Sequence, residues 1–436
     1  MNKPLFVISC PFDTFSGYGA RSRDLVKAII ETDKYDVKLL SQRWGSTPFG
    51  FCTANPEWSF LLTHMITDPN PQKQPDIWMQ ITVPNEFQAV GKFNIGCTAG
   101  IESNICPGDW IEGINRMNLT LVSSNHSKKV FEDCVFEKRN KQTNALESTV
   151  KLEKPVEVLF EGANTDIYKV LDKIPQSDLY NSLMGIKEKF AYLFVGHWME
   201  GDLGEDRKNV GLLVKAFLET FKNKMNRPAL ILKTAQVGSS YMDREEMLKK
   251  IRKIKKTVNS KNLPNIYLLC GDFSDEEMNE LYNHPKVKSM VNLTKGEGFG
   301  RPLLEFSLVK KPIICSGWSG QTDFLESRFN CLLGGQLTNV HPSTKNQFLL
   351  PESQWFSPDH SQVGFYLKDV FENYKNYTEN AKRQTNKNRI EFSWDKMKEK
   401  VDNLFTQYIP EFPKEVKLEL PKLNKIEIPK LKKVNG

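Results

Sequence analysis

No apolar run in the 436 residues approaches the roughly 20 that a membrane-spanning helix requires. The opening stretch MNKPLFVISCPFDTFSG carries only a short apolar segment before a proline and a polar turn, which disfavours a secretory signal peptide. A cytoplasmic protein is therefore expected, with peripheral contact to a membrane surface left open. The eight cysteines stand at 10, 52, 97, 106, 134, 270, 315 and 331, in separate predicted elements. They form neither a close metal-binding set nor the framework of a small secreted domain, so reduced thiols are expected. HxH, HExxH and paired-cysteine motifs are missing too, and no catalytic metal is expected. Charge of one sign is only modestly in excess: 60 Lys and Arg face 53 Asp and Glu, a formal +7. Such a balance favours anions in general, sugar nucleotides, phospholipid surfaces and DNA alike, and selects none of them. With 39% hydrophobic and 26% charged residues, the polar bias of disordered chains is also missing.

The length predicts two domains, since single cores stop growing at roughly 250–300 residues. Leu5–Ser9 predicts a buried strand, Pro11–Gly19 a loop and Ala20–Ile30 a helix. Further strands are predicted at Val37–Leu40, Ile77–Thr82, Ile95–Thr98 and Leu119–Ser123, a helix at Ser127–Phe136, a polar surface excursion at Lys138–Lys154 and a strand at Val156–Phe160. In a second series, strands Tyr192–Val195, Leu230–Lys233, Ile266–Cys270, Val287–Leu293 and Pro312–Ser316 alternate with helices Val210–Phe221, Arg244–Val258 and Pro302–Val309. In Arg244–Val258 the apolar Met247, Leu248, Ile251, Ile254 and Val258 share one face and the lysines point outward, the pattern of a solvated helix rather than a nucleic-acid contact. The alternation gives an α/β class with two mostly parallel sheets, ligand-binding loops being expected at the carboxyl ends of the strands. Residues 1–170 and 171–390 form the two units, 391–409 a terminal helix containing Ser393–Tyr408, and 410–436 a tail. That tail repeats LELPK, IEIPK and LKK with seven lysines and four glutamates, and its prolines oppose a continuous helix, so a mobile terminus or an extended arm is expected.

Gly17 and Gly19 stand between the first predicted strand and helix, where a phosphate or sugar can approach bare backbone at a helix N-terminus; a plain tight turn accounts for the spacing equally well. Gly296–Glu305 reads GEGFGRPLLE, with one carboxylate in a glycine-rich loop and a second in the first turns of the following helix. Glu297 offers hydrogen-bond acceptors to sugar hydroxyls and Glu305 to a ribose, while Gly298, Phe299 and Gly300 form a loop that lets a donor come close. Capping of the helix by Glu297 and plain solvation of Glu305 are the alternative. Arg207 and Lys208 precede helix Val210–Phe221 and Lys233 ends an apolar strand, so the three cations can meet in one cleft. A guanidinium fork and mobile ammonium groups suit the oxygens of a departing diphosphate without a metal or a tightly bound cofactor.

Taken together these segments resemble the large retaining glycosyltransferase family 4, whose GT-B architecture has two facing Rossmann-like domains with an interdomain cleft. The resemblance covers nearly the whole chain. Glu297 and Glu305 fit the family's E-x7-E signature, and FVGHWMEGDLGEDRKNVGLLVKAF, beginning at Phe194, resembles its phosphate-binding region. VLFEGANTD at Val158–Asp166 resembles the interdomain strand and loop, and Phe392–Trp394 the start of the terminal helix that crosses back between domains. The resemblance implies that Glu305 binds the donor ribose, that Glu297 faces the transferred sugar, that Lys208 and Lys233 bind phosphate, and that Gly17 and Gly19 belong to the amino-terminal glycine loop. Two departures stand out: His197 replaces the usual phosphate-site arginine, leaving Arg207 as its candidate substitute, and Thr82–Phe87 (TVPNEF) holds no counterpart of the amino-domain histidine, a role not given to His64.

The implied reaction moves a hexosyl or pentosyl group from a nucleoside diphosphate sugar to an acceptor hydroxyl with retention, by a front-face route in which the hydroxyl gives its proton to the leaving phosphate. Glu102, Asn125 and His126 are candidates for the acceptor-facing wall, with plain capping and surface roles equally open. The expected acceptor is a glycan, a lipid or a small molecule. Modified bases in DNA are an alternative acceptor. A non-catalytic nucleotide-sugar-binding protein would keep the double fold without converging acidic and basic groups.

Overall fold

The computed structural model describes residues 3–66, 68, 73–140, 142–234, 240–344 and 348–413. Strands in its first half are β1 (Leu5–Cys10), β2 (Asp36–Ser41), β3 (Ile77–Ile81), β4 (Phe93–Thr98), β5 (Leu119–Val122), the hairpin pair β6 (Val135–Arg139) and β7 (Leu146–Lys151), and β8 (Val156–Val158). Apart from the hairpin they form one parallel sheet in the order β2-β1-β3-β4-β5-β8. The second half contributes β9 (Ala191–Val195), β10 (Ala229–Lys233), β11 (Ile266–Leu269), β12 (Val287–Asn292), β13 (Ile313–Ser316) and β14 (Cys331–Leu333), all parallel, in the order β11-β10-β9-β12-β13-β14. An antiparallel pair, β15 (Gly335–Asn339) and β16 (Gln354–Pro358), follows.

The central strands LFVISC, IWMQI and ALILK read as unbroken apolar runs because helices cover both faces of a parallel sheet. The covering helices show the matching stripe: Val210, Leu213, Val214, Phe217, Leu218 and Phe221 are buried from helix Val210–Phe221. In the second sheet the chain steps outward from β9 through β10 to β11 and then returns to the other side of β9 with β12. Loops leaving β9 and β12 therefore diverge, which opens a crevice at their carboxyl ends. The corresponding switch in the first sheet lies between β1 and β3.

The halves are tied by two crossings. In the first, the Tyr168 hydroxyl donates to Asp275 at 2.8 Å while Lys169 and Leu171 N–H groups donate to the side chains of Asn279 and Asn283. In the second, Ala163 pairs with Ser393, and helix Trp394–Tyr408 then lies against helix Gly17–Glu31. A Cβ on Gly162 would meet the Cα of Trp394 at 2.7 Å, so only glycine permits this approach. Met397, Val401, Leu404 and Phe405 form the buried face of the returning helix. No described helix is long and apolar enough to cross a membrane.

Three expectations need correction. The helix foreseen at Ser127–Phe136 occupies Asn125–Asp133, because Cys134 turns extended and the strand Val135–Arg139 follows it. The excursion Lys138–Lys154 contains most of an ordered antiparallel hairpin, whose turn is held by the Asn140 side chain accepting from the N–H groups of Gln142 and Thr143. Of its strand residues only Phe136 and Val150 pack against the core, too few to mark an apolar alternation. Gly17 and Gly19 lie inside the first turn of helix Gly17–Glu31, after the N-cap Ser16, rather than in the loop before it. Of the tail, residues 414–436 fall outside the described residues.

The Phe405 ring sits 5.8 Å from Phe6 and 6.3 Å from Tyr35, centroid to centroid, and joins the returning helix to the first core. Phe405→Ala should destabilise the chain by about 3–5 kcal/mol through lost burial and a cavity. Urea unfolding checks this, and an unchanged midpoint would show that the helix docks without that ring.

Candidate active site

The crevice between β9 and β12 is built by two loops zipped together, the Lys295 N–H donating to the Arg207 carbonyl at 2.8 Å. Asn209 caps the helix after the first loop with a left-handed φ of 57°, and Asp206 accepts its N–H at 2.7 Å. This local fold presents Arg207 and Lys208 to the second loop. Lys208 Nζ donates to both oxygens of Glu297, at 2.6 and 2.7 Å. Arg207 Nη1 donates to the Gly296 carbonyl at 2.6 Å and lies 3.4 Å from Glu297, and its Nη2 reaches across to Glu102 of the first domain at 3.2 Å. The Glu297 N–H donates to Ser319 Oγ at 2.9 Å, which fixes the loop.

Burial raises the cost of charging Glu297, yet Lys208 and Arg207 outweigh it and hold its carboxyl below the ordinary range. For Arg207 too, burial is exceeded by the attraction of Glu102 and then Glu297, so its guanidinium is raised. Lys208 has its pKa lowered because burial exceeds the pull of Glu297.

Glu305 belongs to a second cluster. One oxygen accepts from Arg301 Nε at 3.0 Å and the other from the Tyr282 hydroxyl at 3.3 Å, while Arg301 Nη1 donates to Asp24 of the first domain at 2.6 Å. Burial pushes the Glu305 carboxyl up to about 7 against the opposing pull of Arg301. Lys233 stands apart from both clusters: its ammonium donates to the Gly271 carbonyl at 2.6 Å and lies 4.4 Å from the centre of the Phe273 ring. Its pKa is lowered, chiefly by burial.

Gly296 and Gly298 face protein. A Cβ on Gly296 would meet the Glu102 carbonyl oxygen at 2.0 Å, and one on Gly298 the Ala99 carbonyl oxygen at 2.6 Å. Gly300 has a φ of 100° as it starts the helix Arg301–Ser307, and Phe299 is buried against Phe324 at 4.9 Å. Gly19 adjoins the Thr14 carbonyl, whereas a Cβ on Gly17 would meet open space.

On the first-domain wall, Asn125 donates from its N–H and its amide to Asp323, at 2.8 and 3.1 Å. His126 packs edge-on to Trp318 at 4.5 Å, and its buried Nε2 has no hydrogen-bond partner among the described residues. Burial lowers its pKa to about 4, so the ring is neutral at physiological pH. An open cavity of about 700 Å³ bounded by Leu5, Val37, Asp76 and His64 lies at the amino ends of β1–β3, the opposite end of that sheet from this cleft.

Sequence reasoning brought Glu297, Lys208 and Arg207 together but missed Arg301 and Asp24. Arg301 sits four residues before Glu305, the spacing of a helical ion pair, and that signal could have singled it out. Nothing local in the sequence links Asp24 to Arg301, 277 positions away.

No family profile and no curated protein matches the sequence. In three dimensions the chain is similar to a glycosyltransferase from Rickettsia africae, at 13% identity and a TM-score of 0.62 over 94% of this chain and 99% of that one. It is similar to sucrose-phosphate synthase from Thermosynechococcus elongatus, at 12% identity and a TM-score of 0.61 over 93% and 99%. It is also similar to Anabaena HepE, solved in complex with UDP-glucose, at 13% identity and a TM-score of 0.59 over 93% and 100%. At these identities the likeness is one of fold, and the fold is GT-B: two Rossmann-like domains facing across a cleft.

Two measurements test the clusters. Lys208→Ala leaves the buried Glu297 carboxylate with only the longer Arg207 contact and should cost up to about 3–5 kcal/mol in urea unfolding, with Glu297→Gln in the same chain restoring part of it. Equal stability of wild type and Lys208→Ala would remove the pairing from the account. For Glu305 the folded carboxyl titrates near 7, above the ordinary value of about 4.3 in the unfolded chain. Between these values the folded state holds the extra proton, so this contribution to stability is full at low pH and is lost as pH rises. The melting temperature of wild type relative to Glu305→Gln should therefore fall from pH 5 to 7.5, and a flat difference would refute the shift.

Proposed function

We propose that the chain transfers a hexosyl or pentosyl group from a nucleoside diphosphate sugar to an acceptor hydroxyl on a glycan, a lipid or a small molecule. The observation that carries this reading is the Lys208–Glu297–Arg207 cluster at the switch point of a β11-β10-β9-β12-β13-β14 sheet, facing a second domain. Open α/β sheets bind ligands in that crevice. Sugar transfer requires the bond between the anomeric carbon and the diphosphate to break with its electron pair leaving on phosphate, while the acceptor oxygen bonds to that carbon. Desolvated cations already oriented at the leaving group lower the cost of the developing charge. Arg207 and Lys208 fill that role, and Lys233 joins them by exchanging the Gly271 carbonyl for a phosphate oxygen.

In this reading Glu297 also accepts hydrogen bonds from hydroxyls of the transferred sugar. Glu305 binds the ribose, which requires it to exchange a bond to Tyr282 or Arg301. Retention, with the new bond formed on the face the diphosphate leaves, follows from the resemblance to glycosyltransferase family 4. The likeness in fold to HepE, whose structure contains UDP-glucose, supports a nucleotide-sugar donor.

A screen of UDP-, GDP- and ADP-sugars should identify a donor that binds and is turned over. Lys233→Ala should then reduce single-turnover transfer at least about tenfold, equivalent to about 1.4 kcal/mol of transition-state stabilisation, with an unchanged melting curve. Glu305→Ala should weaken all donors bearing that nucleoside, and Glu297→Gln should alter the preference among sugars. Wild-type rates in all three variants would reject the assigned roles, and a chain that binds none of the nucleotide sugars would reject the reading.

A further inference from the structure

Arg207 holds two carboxylates from different domains, and the two contacts are unequal. Lys208 already gives Glu297 two short bonds at 2.6 and 2.7 Å, so Glu297 keeps a cation without Arg207. Glu102 has a single contact to Arg207 at 3.2 Å, and its side chain retains 34% of its exposure, against 9% for Glu297. The guanidinium itself is moored through Nη1 to the Gly296 carbonyl at 2.6 Å, which leaves Nη2 as the arm that can exchange partners. Charge adds to the asymmetry. Two cations and two carboxylates neutralise each other in this group, so a diphosphate that binds to Arg207 or Lys208 takes a cation from one of the carboxylates, whereas Lys233 has only a carbonyl to give up. A planar guanidinium fork matches phosphate oxygens, and its bond to a partly hydrated carboxylate is the less costly one to give up.

We propose that Glu102 and the donor diphosphate compete for Arg207, so that donor binding releases the Glu102 carboxylate into the cleft, where it receives a hydrogen bond from the incoming hydroxylic acceptor. This rests on the nucleotide-sugar reading above. Before donor arrives, Arg207 engages Oε1 of Glu102 and holds the carboxylate toward the second domain's loop rather than toward an acceptor. Once the diphosphate holds Nη2, the carboxylate is an unpaired anion on the first-domain wall, in the segment Ile101–Ser103 whose backbone meets the neutral ring of His126. The carbonyl of Glu102 remains packed against Gly296, so the residue stays within reach of the Glu297 loop while its side chain is freed. Donor therefore binds before acceptor, and Glu102 is a positioning residue whose state reports donor occupancy.

Titration calorimetry of the full chain with UDP, GDP and ADP tests the competition. Glu102→Gln, which removes the rival charge and keeps the shape, should bind the preferred nucleotide about two- to fivefold tighter, the range expected for losing one partly exposed ion pair. In an Arg207→Ala background the same substitution should have no effect on affinity, since the two changes act through one contact. Hydrolysis of the preferred nucleotide sugar, with water as the acceptor, should fall at least tenfold in Glu102→Gln despite the tighter binding. Should Glu102→Gln fail to fold, Glu102→Asp shortens the reach to Arg207 and should also tighten nucleotide binding. Wild-type affinity for a nucleotide that is unchanged in Glu102→Gln, or undiminished hydrolysis, overturns the role of Glu102 alone. Absence of binding to all three nucleotides in wild type overturns the nucleotide-sugar reading itself.

Discussion

The structure turns on a backbone-to-backbone contact that only glycine allows. Gly296 and Gly298 lie so close to the carbonyl groups of Glu102 and Ala99 that any Cβ would overlap them, at 2.0 and 2.6 Å. A methyl group at either position would force the backbones apart, further at Gly296 than at Gly298. The Arg207–Glu102 contact exists because this approach brings a first-domain carboxylate within reach of the second domain's switch-point loop. The glycine-rich sequence thus sets the width of the cleft, a role distinct from the close approach of a ligand that glycine-rich loops usually suggest.

Along GEGFGRPLLE the two acidic residues meet opposite electrostatic fates. Both are buried, and burial alone would raise both. Glu297 has an ammonium to itself and a guanidinium close by, and it stays ionised. Glu305 shares a single guanidinium with Asp24 and feels Asp275 as a further negative charge, so burial prevails. Eight positions apart, one carboxylate is fixed as an anion and the other is poised near neutrality. Pairs of groups driven apart in this way are how one fold holds distinct acid and base characters at a single pH.

Much of this was legible in the sequence because parallel sheets bury their strands on both faces. The apolar runs of β1, β9, β10 and β12 stand out within a residue or two of their observed limits. The hairpin β6–β7 escaped because only Phe136 and Val150 of its strand residues pack against the core, too few for an apolar run or alternation to mark it. Helix Tyr374–Glu391 escaped for a related reason: it buries only Ala381, Gln384, Thr385 and Asn388, three of them polar. At the site, Lys208 and Glu297 could be grouped from motif chemistry. The Asp24–Arg301 pair could not, since it depends on how two separately folded units face each other.

That facing is governed by different chemistry on the two sides of the interface. An aromatic chain runs from Phe160 to Phe392 at 5.0 Å, on to Phe324 at 5.9 Å and to Phe299 at 4.9 Å, linking the crossing segments to the glycine-rich loop itself. Much of the cleft side is held by polar contacts: Glu102 to Arg207, Asn125 to Asp323, and Asn104 to Gln354 at 2.7 and 2.9 Å. Polar groups that separate regain hydrogen bonds from water, whereas exposing the rings carries about 25 cal/mol for each Å². Relative movement of the domains is therefore least costly about the aromatic side, with the polar side opening. Because Phe299 belongs to that aromatic chain and Glu297 lies two residues before it, the loop that carries the acidic residue is anchored at the less yielding edge. The group that changes partners most readily is then the first-domain carboxylate, Glu102, and the cations of the second domain keep their arrangement around Glu297.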